Sequence, residues 1–501
     1  MPGIVVLPSL KLCNKVAVFP LYKAMKRIVY SLFMAALLAV AATGCIEDGY
    51  TSAPADAPVA SLDTLRMGTV FTEEGTPTHR FTLRNRSSKS VNITDIVLDG
   101  DNPEYFRMNV DGFSGTEFHD VEIRAKDSIY VFIEATLPPN GQAVPVDVRA
   151  KFSFTACGVT RSVVLDAQGR DAVRLRGHRV SGREVFTAGR PYIVYDSLVV
   201  EPGAFLGLGA GTELYFHDGA YIAVRGTLET AGTVERPVHM AGDRTGNVVG
   251  DISFDIMSRQ WTGVFFTSTS RDNVLVHTDI RNTWQGVRIE GEPGAAERPT
   301  LSMLNCVLHN SAGLVLEAVH ADVAAFGCQF SEAGEGLVRL QGGSHVINHC
   351  TLANYYLFAA ISGPALQLAH TSEKDSDESG APYTRANIAN SIIYGLGTDL
   401  SHGDLKGTAV CMDHCLLKSA GSDDDEFTGC LWDTDPLYRN DRSAYIFDYR
   451  LKEESPARGA GSPYASDPRA AVDAYGNARG PQPDLGAYVY TPEEPEQPAA
   501  R

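Results

Sequence analysis

The sequence is poor in basic residues relative to its acidic content, and the basic residues do not gather into a basic face. It carries 43 Lys and Arg against 61 Asp and Glu, which gives a formal net charge of −18 at pH 7. Proteins that bind nucleic acid neutralise its phosphates with clustered Lys and Arg. We therefore expect no nucleic-acid partner.

The apolar stretch near the N-terminus is too short to cross a membrane. From Met25 the sequence reads MKRIVYSLFMAALLAVAATGC, with two basic residues first, then an apolar core, then small residues before Cys45. This order is typical of a secretory signal peptide and not of a spanning helix. We predict a signal peptide within residues 1–45, with the true start of the chain at Met25.

Clustered catalytic side chains are also scarce. A polysaccharide lyase needs carboxylates that hold Ca²⁺ together with a basic residue, and a glycoside hydrolase needs two carboxylates at a working separation. Among the outward positions of the repeated strands described below, only Asp279 is acidic. We predict no catalytic residue on that face.

The end of the signal segment, AATGC, resembles the lipobox of bacterial lipoproteins, although Ala42 stands where that family most often has Leu. The resemblance implies that Cys45 is lipidated and that acyl chains attach the protein to a membrane while its fold stays in water. The alternative is a free cysteine after a plain signal peptide. The acidic residues after Cys45 resemble surface-export signals of Gram-negative lipoproteins, which implies an outer-membrane protein displayed on the cell surface.

Two kinds of sequence follow the signal segment. Residues 46–60, IEDGYTSAPADAPVA, have little to bury and predict a linker. Residues 61–172 contain short alternating runs such as HRFTLRN and SIYVFIEATL between turn residues, which predict an antiparallel β-sandwich. This segment resembles the immunoglobulin-like modules found beside bacterial surface domains, which implies a spacer or adhesion module.

After residue 185 the sequence consists of short β-runs punctuated by Gly, a pattern that a coil of very short strands requires. The phrases VEPGAFLGLGAGTELYF and IAVRGTLETAGT resemble the opening turns of right-handed parallel β-helix proteins. The resemblance implies that fold for residues 185–434. We therefore predict an all-β chain, in which an immunoglobulin-like β-sandwich precedes a right-handed parallel β-helix.

One phrase recurs along this region, as in NCVLHN and HCTLAN, at intervals of 28, 22, 22, 41 and 24 residues. An apolar residue always follows two positions later, and side chains two apart on a strand share a face. We predict that the opening residues stack inside the coil, with Cys acting as a small hydrophobe. These ladder residues are Thr278, Cys306, Cys328, Cys350, Ser391 and Cys415.

The alternatives for these cysteines are a metal site or disulfides between adjacent turns. A zinc site would use Cys-x-x-Cys pairs, which do not occur at these positions. Parallel, in-register side chains seldom have the Cβ directions of a disulfide. Cys411 and Cys430 are the better candidates for a disulfide in an oxidising compartment, and they are otherwise free thiols.

Polar and aromatic residues on the outer surface are candidates for ligand binding. Trp284, His309, Gln329 and Tyr394 could stack on or hydrogen-bond to sugars, or could be ordinary surface residues of the coil. Asp423, Asp424 and Asp425 are the candidate ligands if Ca²⁺ binds, and otherwise form a solvated acidic loop. No cofactor is expected apart from such an ion.

The C-terminal part carries DPL at 435–437, SPARGAG at 455–461 and PDLGAY at 483–488. It resembles the closing segment of bacterial β-helix surface proteins, which implies that residues 435–490 cap the open last turn. Residues 491–501 are rich in Pro and Glu and predict a disordered tail.

These predictions give a non-catalytic, membrane-anchored surface lipoprotein whose β-helix binds a carbohydrate or a host-surface ligand, or serves as an adhesion scaffold. The alternative is a polysaccharide lyase or glycoside hydrolase that acts on a uronic-acid-containing or neutral glycan. Fold alone does not decide between them, because β-helices carry both kinds of function.

Overall fold

The computed structural model describes residues 49–249, 252–293, 295, 297–369, 384–401 and 408–493. The predicted signal peptide, Cys45 and residues 494–501 lie outside the described residues. Within them the chain is all-β, as predicted, and no described helix has the length and apolar character of a membrane span. The helical segments described are single 3₁₀ turns at Pro54–Asp56, Pro103–Tyr105, Phe254–Ile256, Arg442–Ala444 and Pro468–Ala470.

The N-terminal unit, residues 50–170, is built from alternating apolar and polar residues. In β8, for example, Ile129, Val131 and Ile133 point inward and their neighbours point to solvent. The described strands of this unit are β1 (Val59–Ala60), β2 (Thr64–Phe71), β3 (His79–Arg84), β4 (Val91–Asp99), β5 (Phe106–Val110), β6 (Phe113–Gly115), β7 (Glu117–Ile123), β8 (Ser128–Ala135), β9 (Val146–Ala156) and β10 (Val159–Arg170).

These strands form two sheets with one core between them. The strand orders are β1-β3-β8-β5-β6 and β2-β10-β9-β4-β7, and the strand pairings described are antiparallel except for β2 with β10. The rings of Phe81 and Phe152, one from each sheet, lie 5.2 Å apart in the shared core. Strand β1 lies inside the segment predicted as a linker, because Val59 and Ala60 pair with β3.

The rest of the strands belong to a parallel solenoid and a small side hairpin. In the described residues they are β11 (Val173–Val180), β12 (Arg183–Phe186), β13 (Tyr192–Val200), β14 (Phe205–Leu208), β15 (Glu213–Phe216), β16 (Tyr221–Val224), β17 (Thr227–Thr230), β18 (Val238–Gly242), β19 (Asn247–Val249), β20 (Ile252–Ser253), β21 (Gly263–Phe266), β22 (Asn273–Val276), β23 (Thr278–Arg281), β24 (Val287–Glu290), β25 (Thr300–Leu304), β26 (Val307–Ser311), β27 (Leu316–Val319), β28 (Asp322–Phe326), β29 (Gln329–Ala333), β30 (Val338–Gln341), β31 (Gly343–Asn348), β32 (Thr351–Asn354), β33 (Leu366–Ala369), β34 (Thr384–Ala389), β35 (Ile392–Gly395), β36 (Leu400–Ser401), β37 (Thr408–Asp413), β38 (Leu416–Leu417) and β39 (Phe427–Thr428).

Three parallel sheets run along the solenoid, and each turn of the chain adds one strand to each. The long strands β11 and β13 begin sheets A and B together. Sheet A continues through β15, β18, β23, β26, β29, β32, β35 and β38, and sheet B through β16, β21, β24, β27, β30, β33 and β36. Sheet C contains β12, β14, β17, β22, β25, β28, β31, β34, β37 and β39. Parallel pairing begins at Val173, twelve residues before the predicted start of the coil.

The recurring cysteine phrase marks the corner between sheets C and A. Its opening residues are buried and stacked: the Cys306 amide faces the Cys328 sulfur at 3.4 Å, and the Cys328 amide faces the Cys350 sulfur at 3.4 Å. The Cys350 amide donates to the Ser391 hydroxyl at 3.0 Å. The stack lines the central core of the solenoid.

The residue before each ladder position adopts a left-handed backbone. The φ angles are 41° at His277, 52° at Asn305, 63° at Gly327, 51° at His349, 50° at Asn390 and 50° at His414. Asn, His and Gly tolerate this conformation better than β-branched residues, which explains why these residue types precede the ladder. In each phrase, a left-handed residue therefore turns the corner and the next residue places a small side chain in the core.

Cys430 also continues this stack. The recurring phrase did not predict this, because Cys430 follows Cys415 by only 15 residues. Gly429 before it has φ 65°, and Leu431 bridges Leu416 in parallel. The predicted disulfide of Cys430 with Cys411 is not formed, and both thiols are free. Cys411 points to solvent from β37, whereas the Cys430 sulfur faces the Met412 carbonyl at 3.7 Å on the inner side.

Residues 435–490, named here the C-terminal cover, lie along the outer face of sheet A and not simply over the last turn. The Tyr488 hydroxyl donates to Gln329 at 2.5 Å, and the Ala487 amide donates to the Thr351 hydroxyl at 2.9 Å. The cover also packs on Leu416 of the last strand of sheet A, and its predicted role as a cap of the open coil end stays a prediction. Phe427 and Trp432, which precede the cover, pack against the end of the central core.

Candidate functional site

Three of the four predicted ligand residues lie on sheet A, under the C-terminal cover. The His309 side chain is 13% exposed, Gln329 is hydrogen-bonded to the cover, and Tyr394 packs against the cover's apolar cluster. Trp284 is 51% exposed and lies elsewhere, with the Arg259 guanidinium 5.0 Å from its ring centroid. The structure therefore does not bring the four residues together.

A row of partly buried ionisable side chains runs along sheet A and ends at the buried Glu332 beneath the cover. His239 Nδ1 and His309 Nε2 each lie 3.5 Å from the Asp279 carboxylate, and Arg281 is paired with it. Burial alone would raise the pKa of Asp279, but the charge of Arg281 and the two imidazoles outweigh it and hold that pKa well below its usual range. Burial and the nearby Arg281 lower the pKa of His309.

Glu332 is the most unusual member of this row. It occupies the position at which other turns carry Asn282, Asn310 and Asn354, and it has a left-handed φ of 48°. Its side chain is 1% exposed, and the Tyr449 hydroxyl of the cover donates to it. Burial raises its pKa to about 8, so the carboxyl is largely protonated at neutral pH.

The cover seals this row at Glu332. The Tyr449 hydroxyl donates to Glu332, whose side chain is 1% exposed, and the Tyr488 hydroxyl donates to the nearby Gln329. The rest of the row, His239, Asp279, Arg281 and His309, keeps between 13% and 24% of its side-chain surface exposed. The row is therefore a polar layer that is closed at one end and partly open to solvent at the other.

In the acidic loop predicted to bind a cation, two carboxylates accept hydrogen bonds from backbone amides of the same loop. Asp423 accepts from the amides of Gly429 and Cys430 and from the Trp432 indole, and Asp424 accepts from the amides of Glu426 and Phe427. In the part of the chain that the structure describes, no group of three acidic, His or Cys side chains is arranged to hold a metal ion. A cation at Asp423, Asp424 and Asp425 stays a prediction, and there it would compete with the amides that Asp423 and Asp424 already bind.

Sheet B presents its outward side chains to solvent. Facing positions on consecutive strands carry Phe265, Arg288, Glu317, Arg339 and Gln367. Their inward neighbours are buried, as alternation in a strand requires. This row therefore forms an open face on which planar polar side chains follow one another from turn to turn.

The open row is held by a chain of hydrogen bonds and ion pairs. Arg288 lies 3.1 Å from Glu290 and 3.2 Å from Glu317, and Arg339 lies 3.2 Å from Glu317. Arg339 Nε also donates to Gln367 Oε1 at 2.8 Å. Because each guanidinium is fixed by two partners, its remaining N–H groups and the free carboxylate lone pairs point in defined directions.

A groove of about 600 Å³ lies at one end of this row. Its walls include Phe265, Ser268, Gln285, Arg288 and Glu290. The exposed Trp284 directly precedes Gln285 in the chain. The groove thus combines aromatic surface with donors and acceptors, which is the composition that a small polar ligand or a sugar chain requires.

The sequence did not predict this face because the repeated phrase aligns only the strands of sheet A. A weak signal was present, since Arg288, Glu317 and Arg339 follow the ladder residues Thr278, Cys306 and Cys328 by ten or eleven positions. The register is lost after Cys350, where the interval grows because of an inserted loop.

No protein-family model matches the chain, and no curated protein matches it. Two solved structures show a partial likeness. One is a family 123 glycoside hydrolase from Clostridium perfringens, with a TM-score of 0.17, 11% identity, and coverage of 23% of this chain and 26% of that chain. The other is a protein of unknown function from Porphyromonas gingivalis, with a TM-score of 0.17, 12% identity, and coverage of 25% of this chain and 60% of that chain. The chain thus spans less than two thirds of either structure, and likenesses this low carry no functional information.

Proposed function

We propose that this protein is a membrane-anchored, non-catalytic surface lipoprotein that binds glycan chains along sheet B of its solenoid. Lipidation of Cys45 would supply the anchor, and the N-terminal unit, taken as an immunoglobulin-like module, would hold the solenoid away from the membrane. In this proposal the solenoid is a right-handed β-helix, the handedness that parallel crossovers favour.

The observation that carries the proposal is the exposed row of Arg288, Glu317, Arg339 and Gln367 beside the groove. Sugar hydroxyls both donate and accept, and side chains of this kind offer fixed partners for both roles. Consecutive strands repeat every ~4.8 Å, so a polymer lying along the sheet axis meets a similar polar group on each turn. Phe265 and Trp284 add apolar surface for the faces of sugar rings.

The test is a glycan array probed with residues 46–501, followed by titration of any polysaccharide retained. We expect Glu317→Gln and Arg339→Ala to weaken binding roughly tenfold or more, because hydrogen bonds to charged groups contribute about 1.5–3 kcal/mol each. Arg149→Ala is the matched control, since Arg149 forms an exposed ion pair with Asp166 on the N-terminal unit.

Retention that is equal in the sheet B variants and in the control would place the glycan elsewhere and remove the proposal. Mass spectrometry of each polysaccharide after incubation, with and without Ca²⁺, tests the catalytic alternative in the same samples. Shortened chains would replace the binding proposal with an enzymatic one.

A further inference from the structure

A second concave site lies where the N-terminal unit meets the solenoid. It is a cleft of about 360 Å³, and residues of both units form its walls. The N-terminal unit contributes Val70, Phe71, Glu74, Gly75, Thr76 and Pro77, and the solenoid contributes His217, Asp243, Arg244, Thr245 and Phe254. The site is separate from the groove on sheet B, with which it shares no lining residue.

The junction that forms the cleft is fixed by direct contacts. The Arg170 guanidinium makes two hydrogen bonds to Glu213, at 2.8 and 2.6 Å. The Thr245 hydroxyl donates to the Thr69 carbonyl at 3.1 Å, and Phe71 packs with Ile193. Because these hydrogen bonds and apolar contacts join the two units near the cleft, the cleft is a fixed feature of the junction and not a gap between two loosely joined units.

Polar groups from both units enter the cleft. His217 Nδ1 lies 2.6 Å from Asp243 Oδ2, and this pair belongs to the solenoid. Glu74 belongs to the N-terminal unit. It accepts a hydrogen bond from the hydroxyl of Tyr195 of the solenoid, and the guanidinium of Arg174, also of the solenoid, lies 3.6 Å from its carboxylate. The Asp243 side chain is 17% exposed, and burial is the main cause that raises the pKa of its carboxyl.

Apolar surface completes the site. Phe71, Val70 and Pro77 face the cleft from one side and Phe254 from the other. The Arg244 guanidinium lies 6.0 Å from the centroid of the Phe254 ring, at the rim. Pockets that bind small molecules have this composition, with an apolar lining and a few convergent polar groups, and they form preferentially at domain junctions.

We propose that this junction cleft binds a neutral sugar residue, either free or at the end of a short chain. The carboxylates of Asp243 and Glu74 accept from sugar hydroxyls, and Arg244 donates to ring or hydroxyl oxygens. Because Nδ1–H of the neutral His217 imidazole donates to Asp243, its free Nε2 accepts from a further hydroxyl. Phe254 supports the apolar face of the ring. The volume lies at the small end of the range for ligand pockets, which suits one sugar ring better than a polymer lying across it.

The carboxylates of the lining select against an anionic ligand. Two carboxylates, Asp243 and Glu74, line the cleft with one guanidinium, Arg244, so the carboxylate of an acidic sugar meets net repulsion, whereas a neutral polyol can use both kinds of partner.

The experiment is titration calorimetry of residues 46–501 with five separate probes: glucose, galactose, mannose, glucuronate and glucosamine. We expect saturable binding of at least one neutral hexose and at least tenfold weaker binding of glucuronate. We expect Asp243→Asn and His217→Gln each to weaken hexose binding at least tenfold, while Glu317→Gln on sheet B leaves it unchanged. The last comparison separates this inference from the function proposed for sheet B.

Asp95→Asn is the matched control, because Asp95 forms an exposed pair with His119 at 3.1 Å on the N-terminal unit, away from the cleft. Melting temperatures within experimental error of the native chain establish that each variant is folded. The inference is overturned if no neutral hexose binds, if only a charged sugar binds, or if binding survives both cleft variants as it survives the control.

Discussion

Sheets A and B are built by the same coil, yet one is covered and the other is open. Outward positions of sheet A change from charged residues in the early turns to Val307, Thr351 and Ile392 in the later ones, and the cover packs on them. Outward positions of sheet B stay polar over the same turns, as at Glu317 and Arg339. An outward direction in a solenoid is therefore not equivalent to exposure, because a distant segment decides which face meets solvent.

The charged residues of the two sheets also have different roles. On sheet A, both Asp279 and Arg281 are mostly shielded from solvent and lie beside imidazoles, so removal of one partner would leave the other poorly solvated and unpaired. On sheet B, Arg288 and Arg339 are 39% and 36% exposed although Glu317 between them is 16% exposed, so these ion pairs are partly screened by water and contribute little to stability. Sheet A uses polar groups to seat the cover, whereas sheet B leaves them available to a ligand.

The largest expected effect comes from the anchor of the cover. Tyr449→Ala removes a buried ring from the cover's apolar cluster and leaves Glu332 without its hydroxyl partner. Truncation of buried aromatic residues typically costs about 3–5 kcal/mol. We expect a loss of that size in the free energy of unfolding, measured by urea denaturation.

Tyr449→Phe is the companion variant, because it keeps the ring and removes only the hydroxyl. Its loss should be clearly smaller than that of Tyr449→Ala. If both variants unfold like the native chain, the cover does not contribute to stability and the contrast between the two sheets fails.

A pH-dependent effect of intermediate size is expected at Glu332. Its pKa is about 8 in the folded chain and near 4.5 when unfolded, so the folded state holds a proton that the unfolded state releases. The contribution of Glu332 to stability is therefore complete below about pH 4.5 and is lost as the pH rises towards 8. A shift of this size corresponds to at most roughly 5 kcal/mol.

Glu332→Gln mimics the protonated form, so its stability should not show this decline. Denaturation at pH 5 and pH 8 measures the difference, with Glu317→Gln on the open sheet as the matched control. A native chain whose decline equals that of Glu332→Gln would show that the carboxyl is already ionised in the fold.

The smallest expected effect lies on sheet B. Arg339→Ala breaks contacts with Glu317 and Gln367 that are partly exposed. Surface ion pairs contribute about 0–1 kcal/mol, so we expect the free energy of unfolding to change by less than about 1 kcal/mol. A loss comparable with that of Tyr449→Ala would mean that sheet B is as structural as sheet A.

Local repetition made the all-β class and the parallel coil predictable. The cysteine phrase carries its own geometry, because a left-handed corner residue precedes a small buried one, as at Asn305 and Cys306. Long-range packing had no such signal. Tyr488 meets Gln329 across 159 positions of sequence, and nothing in the phrase around Gln329 indicates that a tyrosine will cover it.

Residues that depart from the repeat could not be interpreted from the sequence either. Glu332 replaces the recurring Asn with a residue of similar size, and its unusual pKa arises from burial under the cover and not from its neighbours in sequence. The junction cleft combines residues such as Glu74 and Asp243, which lie in different units. Sites of this kind depend on tertiary contacts, so single-sequence patterns indicate the scaffold better than the chemistry.

The position of the cover has a consequence for the order of folding. Each turn of the solenoid pairs with the previous turn about 22 residues earlier, so the coil can grow steadily as the chain becomes available. The cover instead contacts residues as far as 167 positions earlier, as Val472 does with Asn305. Contacts so distant in sequence close slowly, and until they form, the polar row of sheet A faces water. The C-terminal cover thus completes a surface that the earlier turns leave unfinished.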